Sequence, residues 1–184
     1  MTVLLVRGDR EYLRKPGEEL QTDLGVLTVP EDVEPGDRLE THLGETFTVR
    51  ALRGPDLFHH FERTGAPMMP RDVGLVIGKT GIAAGERVLD AGTGTGVLAA
   101  YLGRIGADVT TYERDPEFAD VARENMALAG LADDVDVRTG DVTTALDVLA
   151  EGDAFDAITL DTADAPGVVE RAPELLAAGP TRLQ

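Results

Sequence analysis

The chain of 184 residues carries 17 Lys and Arg against 34 Asp and Glu, a net charge of −17 at pH 7, and has no Cys and no Trp. Without Cys, disulfide scaffolds, thiol chemistry and Cys-based zinc sites are excluded. Hydrophobic residues make up 42%, which excludes a disordered acidic tail, and the length suits one domain or two small ones.

Residues 1–62 read as a small antiparallel β-domain. A β-rich run over 2–6 closes on Arg7-Gly8-Asp9. Two later segments resemble each other: Leu20-Gln21-Thr22-Asp23-Leu24-Gly25 ahead of Thr28-Val29, and Leu39-Glu40-Thr41-His42-Leu43-Gly44 ahead of Phe47-Thr48-Val49. Each predicts a strand, a Gly turn and a return strand. Residues 63–71 read as a linker around Arg63-Thr64-Gly65-Ala66-Pro67. Over 72–184 the pattern changes to alternating strand and helix. Asp72 is placed to cap a helix over 73–79, a strand follows over 87–91, and 96–105 has helical spacing. A strand over 108–113 leads to Asp115-Pro116, a helix-opening pair, and Gly130 closes that helix. Strands over 135–138 and 155–160 precede a helix over 168–178 that Pro173 strains. This alternation predicts an α/β fold with a parallel sheet and helices on both faces.

The charge has a physical reading of its own. Self-repulsion of this size works against the compact state at low salt, whereas at molar salt a Debye length of about 3 Å screens it. The only lysines are Lys15 and Lys79. Few lysines, abundant acid and many small residues predict a salt-rich cytoplasm, against the plainer reading of an ordinary acidic protein. An acidic surface ordinarily argues against nucleic-acid partners, but salt adaptation masks that argument. The Met1 end lacks a basic-then-apolar leader and no run reaches the ~18 residues of a membrane span. The chain therefore reads as soluble, cytoplasmic and without a membrane partner.

Chemistry concentrates in Val88-Leu89-Asp90-Ala91-Gly92-Thr93-Gly94-Thr95-Gly96, a strand, a Gly-rich turn and a helix start. Such a turn lets a ligand approach the backbone, and the helix start presents N–H groups to carboxylate or phosphate. Glu113 closes the next strand, where it can accept hydrogen bonds from both hydroxyls of a ribose. Together these predict a nucleoside-cofactor site. The G-x-G-x-G spacing, with Val97 where a dinucleotide site has its last Gly, resembles the S-adenosylmethionine (SAM) site of Rossmann-like methyltransferases. Gly140-Asp141-Val142 follows the third strand, where those enzymes hold the cofactor's adenine through a carboxylate. Asp161 ends the fourth strand, at the edge where open α/β sheets place ligands; the plainer readings are a helix cap or a solvated loop, and the latter is expected for Asp164.

The chain resembles the archaeal and bacterial tRNA (adenine-N1)-methyltransferases that act on the T-loop. The resemblance rests on the two Thr-x-Leu-Gly hairpins followed by Leu52-Arg53-Gly54-Pro55-Asp56-Leu57, on Met69-Pro70-Arg71-Asp72-Val73-Gly74-Leu75, and on Leu89 to Gly96 with Tyr112-Glu113. It implies a homotetramer that binds SAM and tRNA. It implies cofactor contacts at Thr95, Gly96, Val97, Leu98, Glu113, Phe118 and Asp141, beside the turn residues Gly92, Thr93 and Gly94. It places Asp161 as the catalytic residue against the exocyclic amino group of the target adenine.

Two departures from the family pattern carry expectations. Thr162-Ala163-Asp164-Ala165-Pro166 stands where the family has a Pro-rich, Trp-ended stretch. The family also continues past the position of Gln184, so C-terminal strands are expected to be missing, with the fourth strand left as a sheet edge and a complementing partner chain as one resolution. A non-catalytic SAM- or tRNA-binding subunit and a protein isoaspartate methyltransferase are the alternative functions. Gly78-Lys79-Thr80 lacks the spacing of a phosphate loop, and His59-His60 has no companions for a metal site.

Overall fold

A computed structural model describes residues 2–177. The chain divides into two compact units, Met1–His60 with Leu128–Gly130, and Phe61–Ala127 with Leu131–Gln184.

The first unit contains β1 (Val3–Arg7), β2 (Arg10–Arg14), β3 (Glu19–Thr22), β4 (Gly25–Thr28), β5 (Arg38–Glu40), β6 (Thr46–Ala51) and helix α1 (Gly54–His60). Four strands form an antiparallel sheet in the order β2-β1-β6-β5, and β3-β4 is a separate hairpin. Both repeated segments form the strand–turn–strand units their spacing predicts. Val3 and Leu5 of β1 pack with Phe47 and Val49 of β6 and with Leu20, Leu27, Val29 and Val33 into one core. The hairpin is fastened by Thr41, whose hydroxyl donates to Leu24 O at 2.7 Å, and by His42, whose Nδ1 accepts from Val26 N at 2.9 Å. Helix α1 was not anticipated. Its signal is Gly54-Pro55-Asp56: Asp56 reaches back to accept from Arg53 N at 2.7 Å, half of a capping box. His60 on this helix lies 3.2 Å from Glu11.

The second unit runs α2 (Pro70–Thr80), β7 (Arg87–Ala91), α3 (Val97–Arg104), β8 (Asp108–Glu113), α4 (Pro116–Ala129), β9 (Val135–Thr139), a short 3₁₀ turn (Val142–Thr144), α5 (Leu146–Glu151), β10 (Ala157–Leu160) and α6 (Ala165–Leu175). All pairings are parallel, in the order β10-β7-β8-β9. This is a Rossmann-like parallel sheet. One face buries Leu89, Ala91, Tyr112 and Phe155 against Leu146 and Leu149 of α5 and Val168 and Leu175 of α6. The register sets Leu160 beside Ala91, Ala91 beside Tyr112, and Tyr112 beside Arg138. The residues that follow those positions therefore leave the sheet side by side at its carboxyl edge.

Several expectations are corrected. Helix α2 begins at Pro70 with Met69 at its cap, so Asp72 lies in the first turn and caps nothing; Pro at the first helical position sets the start instead. Gly78-Lys79-Thr80 falls at the end of that helix. The 3₁₀ turn and α5 were not foreseen. Helix α6 starts at Ala165, earlier than expected, and carries Pro173 within its last turn. The expected helix end at Ala178 and the segment 179–184 lie outside the described residues. Among the described residues β10 has one strand neighbour, β7; on its other side Phe155 forms a single parallel bridge with Leu176. No helix of the described residues is long and apolar enough to cross a membrane.

Candidate functional site

A cleft of about 380 Å³ opens at the carboxyl edge of the parallel sheet. Gly92, Gly94 and Thr95 after β7, Glu113 at the end of β8 with Arg114 after it, Gly140 and Asp141 after β9, and Asp161 after β10 all line it. The Gly-rich turn is shaped by close packing. A Cβ on Gly92, at φ +99°, would sit 2.2 Å from the backbone oxygen of Asp161, whereas one on Gly94 would meet nothing within 4 Å. The loop is thus clamped at Gly92 and open to a ligand at Gly94.

Glu113 braces this loop. Its Oε2 accepts from Gly94 N at 2.9 Å and its Oε1 from Asp115 N at 3.0 Å. A carboxylate has about four acceptor sites, so each oxygen retains one for a hydroxyl donor. Asp141 caps the 3₁₀ turn through Oδ1, which accepts from Thr143 N at 2.8 Å and from Thr143 Oγ1 at 2.6 Å. These bonds hold its carboxyl below the usual range, with the Arg114 charge adding to the effect. Asp115 accepts from Glu117 N at 2.9 Å, starting α4 so that Phe118, 37% exposed, stands on the cleft wall. Asp161 is exposed, and its backbone N donates to Ala91 O at 2.8 Å. Asp164, expected as solvated loop, pairs with Arg114 at 3.2 Å. Glu113, Asp141, Asp161 and Asp164 against Arg114 leave the wall acidic, which suits a cationic ligand.

Not every predicted site residue reaches the wall. Thr93 is buried, sharing a 2.6 Å hydrogen bond with Thr111. Gly96 caps α3, and Val97 and Leu98 are buried in its first turn. Leu98 lines a second, apolar cavity of about 340 Å³ with Met68, Leu75, Val76 and Leu160, and Asp161 borders both cavities. Conversely, Thr64, Gly65 and Ala66 of the expected linker line the cofactor-side cleft. Only their loop composition was visible, and that does not say which surface a loop covers.

Asp90 lies beneath the turn, 2% exposed. Its Oδ1 accepts from Thr159 Oγ1 at 2.6 Å and its Oδ2 from Thr111 Oγ1 at 2.7 Å. Burial pushes its pKa up more than the two hydroxyls lower it, and the negative charges of Asp161 and Glu113 push the same way. A carboxyl raised on folding contributes stability below its unfolded pKa and loses it as pH rises through the folded value. Asp90→Asn is therefore expected to flatten stability above the ordinary carboxylate range. Urea unfolding of both proteins between about pH 5 and pH 8 checks this; a variant that loses as much stability as wild type over that interval contradicts it.

The family model described as "Methyltransferase domain" matches residues 88–178. Over 128 residues the chain is 41% identical to the tRNA (adenine-N1)-methyltransferase TrmI of Methanocaldococcus jannaschii, covering 67% of the chain and 45% of that protein. The chain carries a methyltransferase domain and is similar to TrmI. Among solved structures, a SAM-dependent O-methyltransferase of Thermotoga maritima superposes with a TM-score of 0.75 and 26% identity, over 97% of the chain and 68% of its own. TrmI of Aquifex aeolicus superposes with a TM-score of 0.66 and 25% identity, over 97% and 71%. The chain spans about half the length of the curated TrmI relatives it matches, 45% and 54% for the first two.

The residues present fit SAM, the cofactor of this fold family. The open backbone at Gly94, the two acceptors of Glu113, the Asp141 carboxylate, the aromatic edge of Phe118 and the acidic wall together suit a nucleoside that carries a positive charge.

Proposed function

We propose that the chain transfers a methyl group from SAM to N1 of an adenosine in tRNA. The observation that carries this reading is the position of Asp161, which borders the cofactor cleft on one side and an apolar cavity on the other. SAM supplies an electrophilic methyl group on a sulfonium. Adenine N1 has its own lone pair, so no base is required to create the nucleophile. The work left to the protein is orientation and charge. Glu113 holds the ribose, Asp141 the adenine amino group, and Phe118 packs against the adenine ring. The turn shapes the pocket floor through Gly92, Gly94 and Thr95. The Asp161 carboxylate accepts from the target's exocyclic amino group and stabilises the ring as it becomes cationic. The apolar cavity offers a surface to a target base that has left its stack.

On this reading the first unit, which ends at His60 rather than at the expected residue 62, contributes to holding tRNA, and the chain works in a salt-rich cytoplasm as part of an oligomer, the homotetramer implied by the family or a complex with a complementing chain. The TrmI relatives support tRNA over carboxylate acceptors. The test is isotope transfer from SAM in molar potassium chloride to an unmodified tRNA transcript and, in parallel, to an isoaspartyl peptide. Label recovered as 1-methyladenosine is expected. Label on the peptide alone overturns the reading, and SAM binding with no transfer to either acceptor favours the non-catalytic alternative.

A further inference from the structure

We propose that Asn125 is a positioning residue that fastens the segment 61–66 to the Gly-rich turn and thereby sets how tightly the donor's methionyl end is held; this rests on the reading of the cleft as a SAM site. Helix α4 buries Ala119, Ala122 and Met126 along one stripe, and Asn125 stands among them, 3% exposed. An amide on such a face is costly unless its polar atoms are satisfied. Its Oδ1 accepts from Glu62 N at 3.0 Å, and its Nδ2 donates to Glu62 O at 2.9 Å and to Thr95 O at 2.9 Å.

The pair of bonds to Glu62 grips the backbone of the segment from both sides, as a strand neighbour does. The third bond grips the turn. One side chain therefore ties together two segments that line the same cleft, because Thr64, Gly65 and Ala66, which follow Glu62, and Thr95 all stand on its lining. Thr64 adds a weaker contact, its backbone N 3.4 Å from Thr95 Oγ1. Only a primary amide supplies one acceptor and two donors here; a carboxylate at 125 keeps the acceptor and turns both donor contacts into repulsions. On this reading the adenosine end of the ligand falls to Glu113 and Asp141, at the ends of β8 and β9, and the methionyl end is left to the turn and the segment 61–66. Loosening the segment therefore weakens a ligand that carries the methionyl chain and spares one that lacks it.

The test compares wild type, Asn125→Asp and Asn125→Ala by calorimetric titration of SAM and of 5′-methylthioadenosine, with hydrogen exchange read on residues 61–66. The expected result is SAM affinity reduced about tenfold or more, about 1.4 kcal/mol, with methylthioadenosine affinity little changed. Faster exchange at Glu62 and Thr64 in the ligand-free variants accompanies it. Equal losses for both ligands, or unchanged exchange over 61–66, overturn the proposal. If wild type binds neither ligand, the SAM reading has failed, and the exchange data still decide the tether. If neither variant folds, exchange of wild type with and without SAM decides: protection of 61–66 by SAM supports the proposal, and its absence overturns it.

Discussion

Asp161→Ala is expected to abolish methyl transfer while leaving SAM affinity near that of wild type. The separation follows from how the residue is held. Its backbone is fixed from both sides, with N donating to Ala91 O at 2.8 Å and the carbonyl oxygen packed over Gly92. Its side chain is exposed and makes no hydrogen bond among the described residues, so removing it disturbs no packing. In the proposed mechanism the carboxylate acts only on the acceptor, whose ring gains positive charge during transfer. Removing one preorganised electrostatic partner of that kind costs about 10²–10³ in rate. Asp161→Asn retains an acceptor for the amino group and loses the charge, so its rate should fall between those of Ala and wild type. Single-turnover transfer to tRNA, with SAM affinity measured on the same preparations, checks both variants. Wild-type turnover in Asp161→Ala removes this residue from the mechanism; a matching fall in SAM affinity moves it to the cofactor site.

Gly92→Ala is expected to disable the site at its base. The new methyl would lie 2.2 Å from the Asp161 oxygen and 2.8 Å from its carbonyl carbon, both backbone atoms that no rotamer change can move. The positive φ adds a conformational penalty of about 1–2 kcal/mol, and overpacking typically costs about 1–3 kcal/mol more. Relief of the clash displaces either the turn or the end of β10, and SAM binding should be lost with either. Gly94→Ala is the comparison. It shares the positive φ but meets no atom within 4 Å, so only the conformational term applies to its fold. Urea unfolding separates the two: equal destabilisation contradicts the close packing at Gly92.

Strand β7 was legible from Val88, Leu89 and Ala91 ahead of Gly92, and β8 from the β-branched and aromatic run Val109 to Tyr112 shortly after Gly106. The helix start at Pro116 was legible because Asp115 and Pro116 act locally. The carboxylates at the strand ends follow from where those strands stop, and the parallel register then sets them in a row. What stayed hidden depends on contacts distant in sequence. The role of 64–66 on the cleft wall needs a neighbouring loop that its composition does not reveal. Asn125 sits within a helix whose Glu117 and Glu124 mark a solvated face, and only the buried stripe beside it shows that its amide faces inward. Val97 and Leu98 continue the turn in sequence, but the first turn of α3 buries them away from the cleft. Helix α1 is short, and its one cue, Gly54-Pro55-Asp56, also suits a plain turn.

The most direct test of the central claim is calorimetric titration of SAM into the purified chain in molar potassium chloride, beside Glu113→Ala. The account predicts saturable binding of one SAM per chain, weakened at least about tenfold in the variant by the loss of a hydrogen-bond acceptor to the ribose and of the brace on Gly94. A folded wild-type chain that shows no saturable binding, or equal affinity in the two proteins, would contradict it.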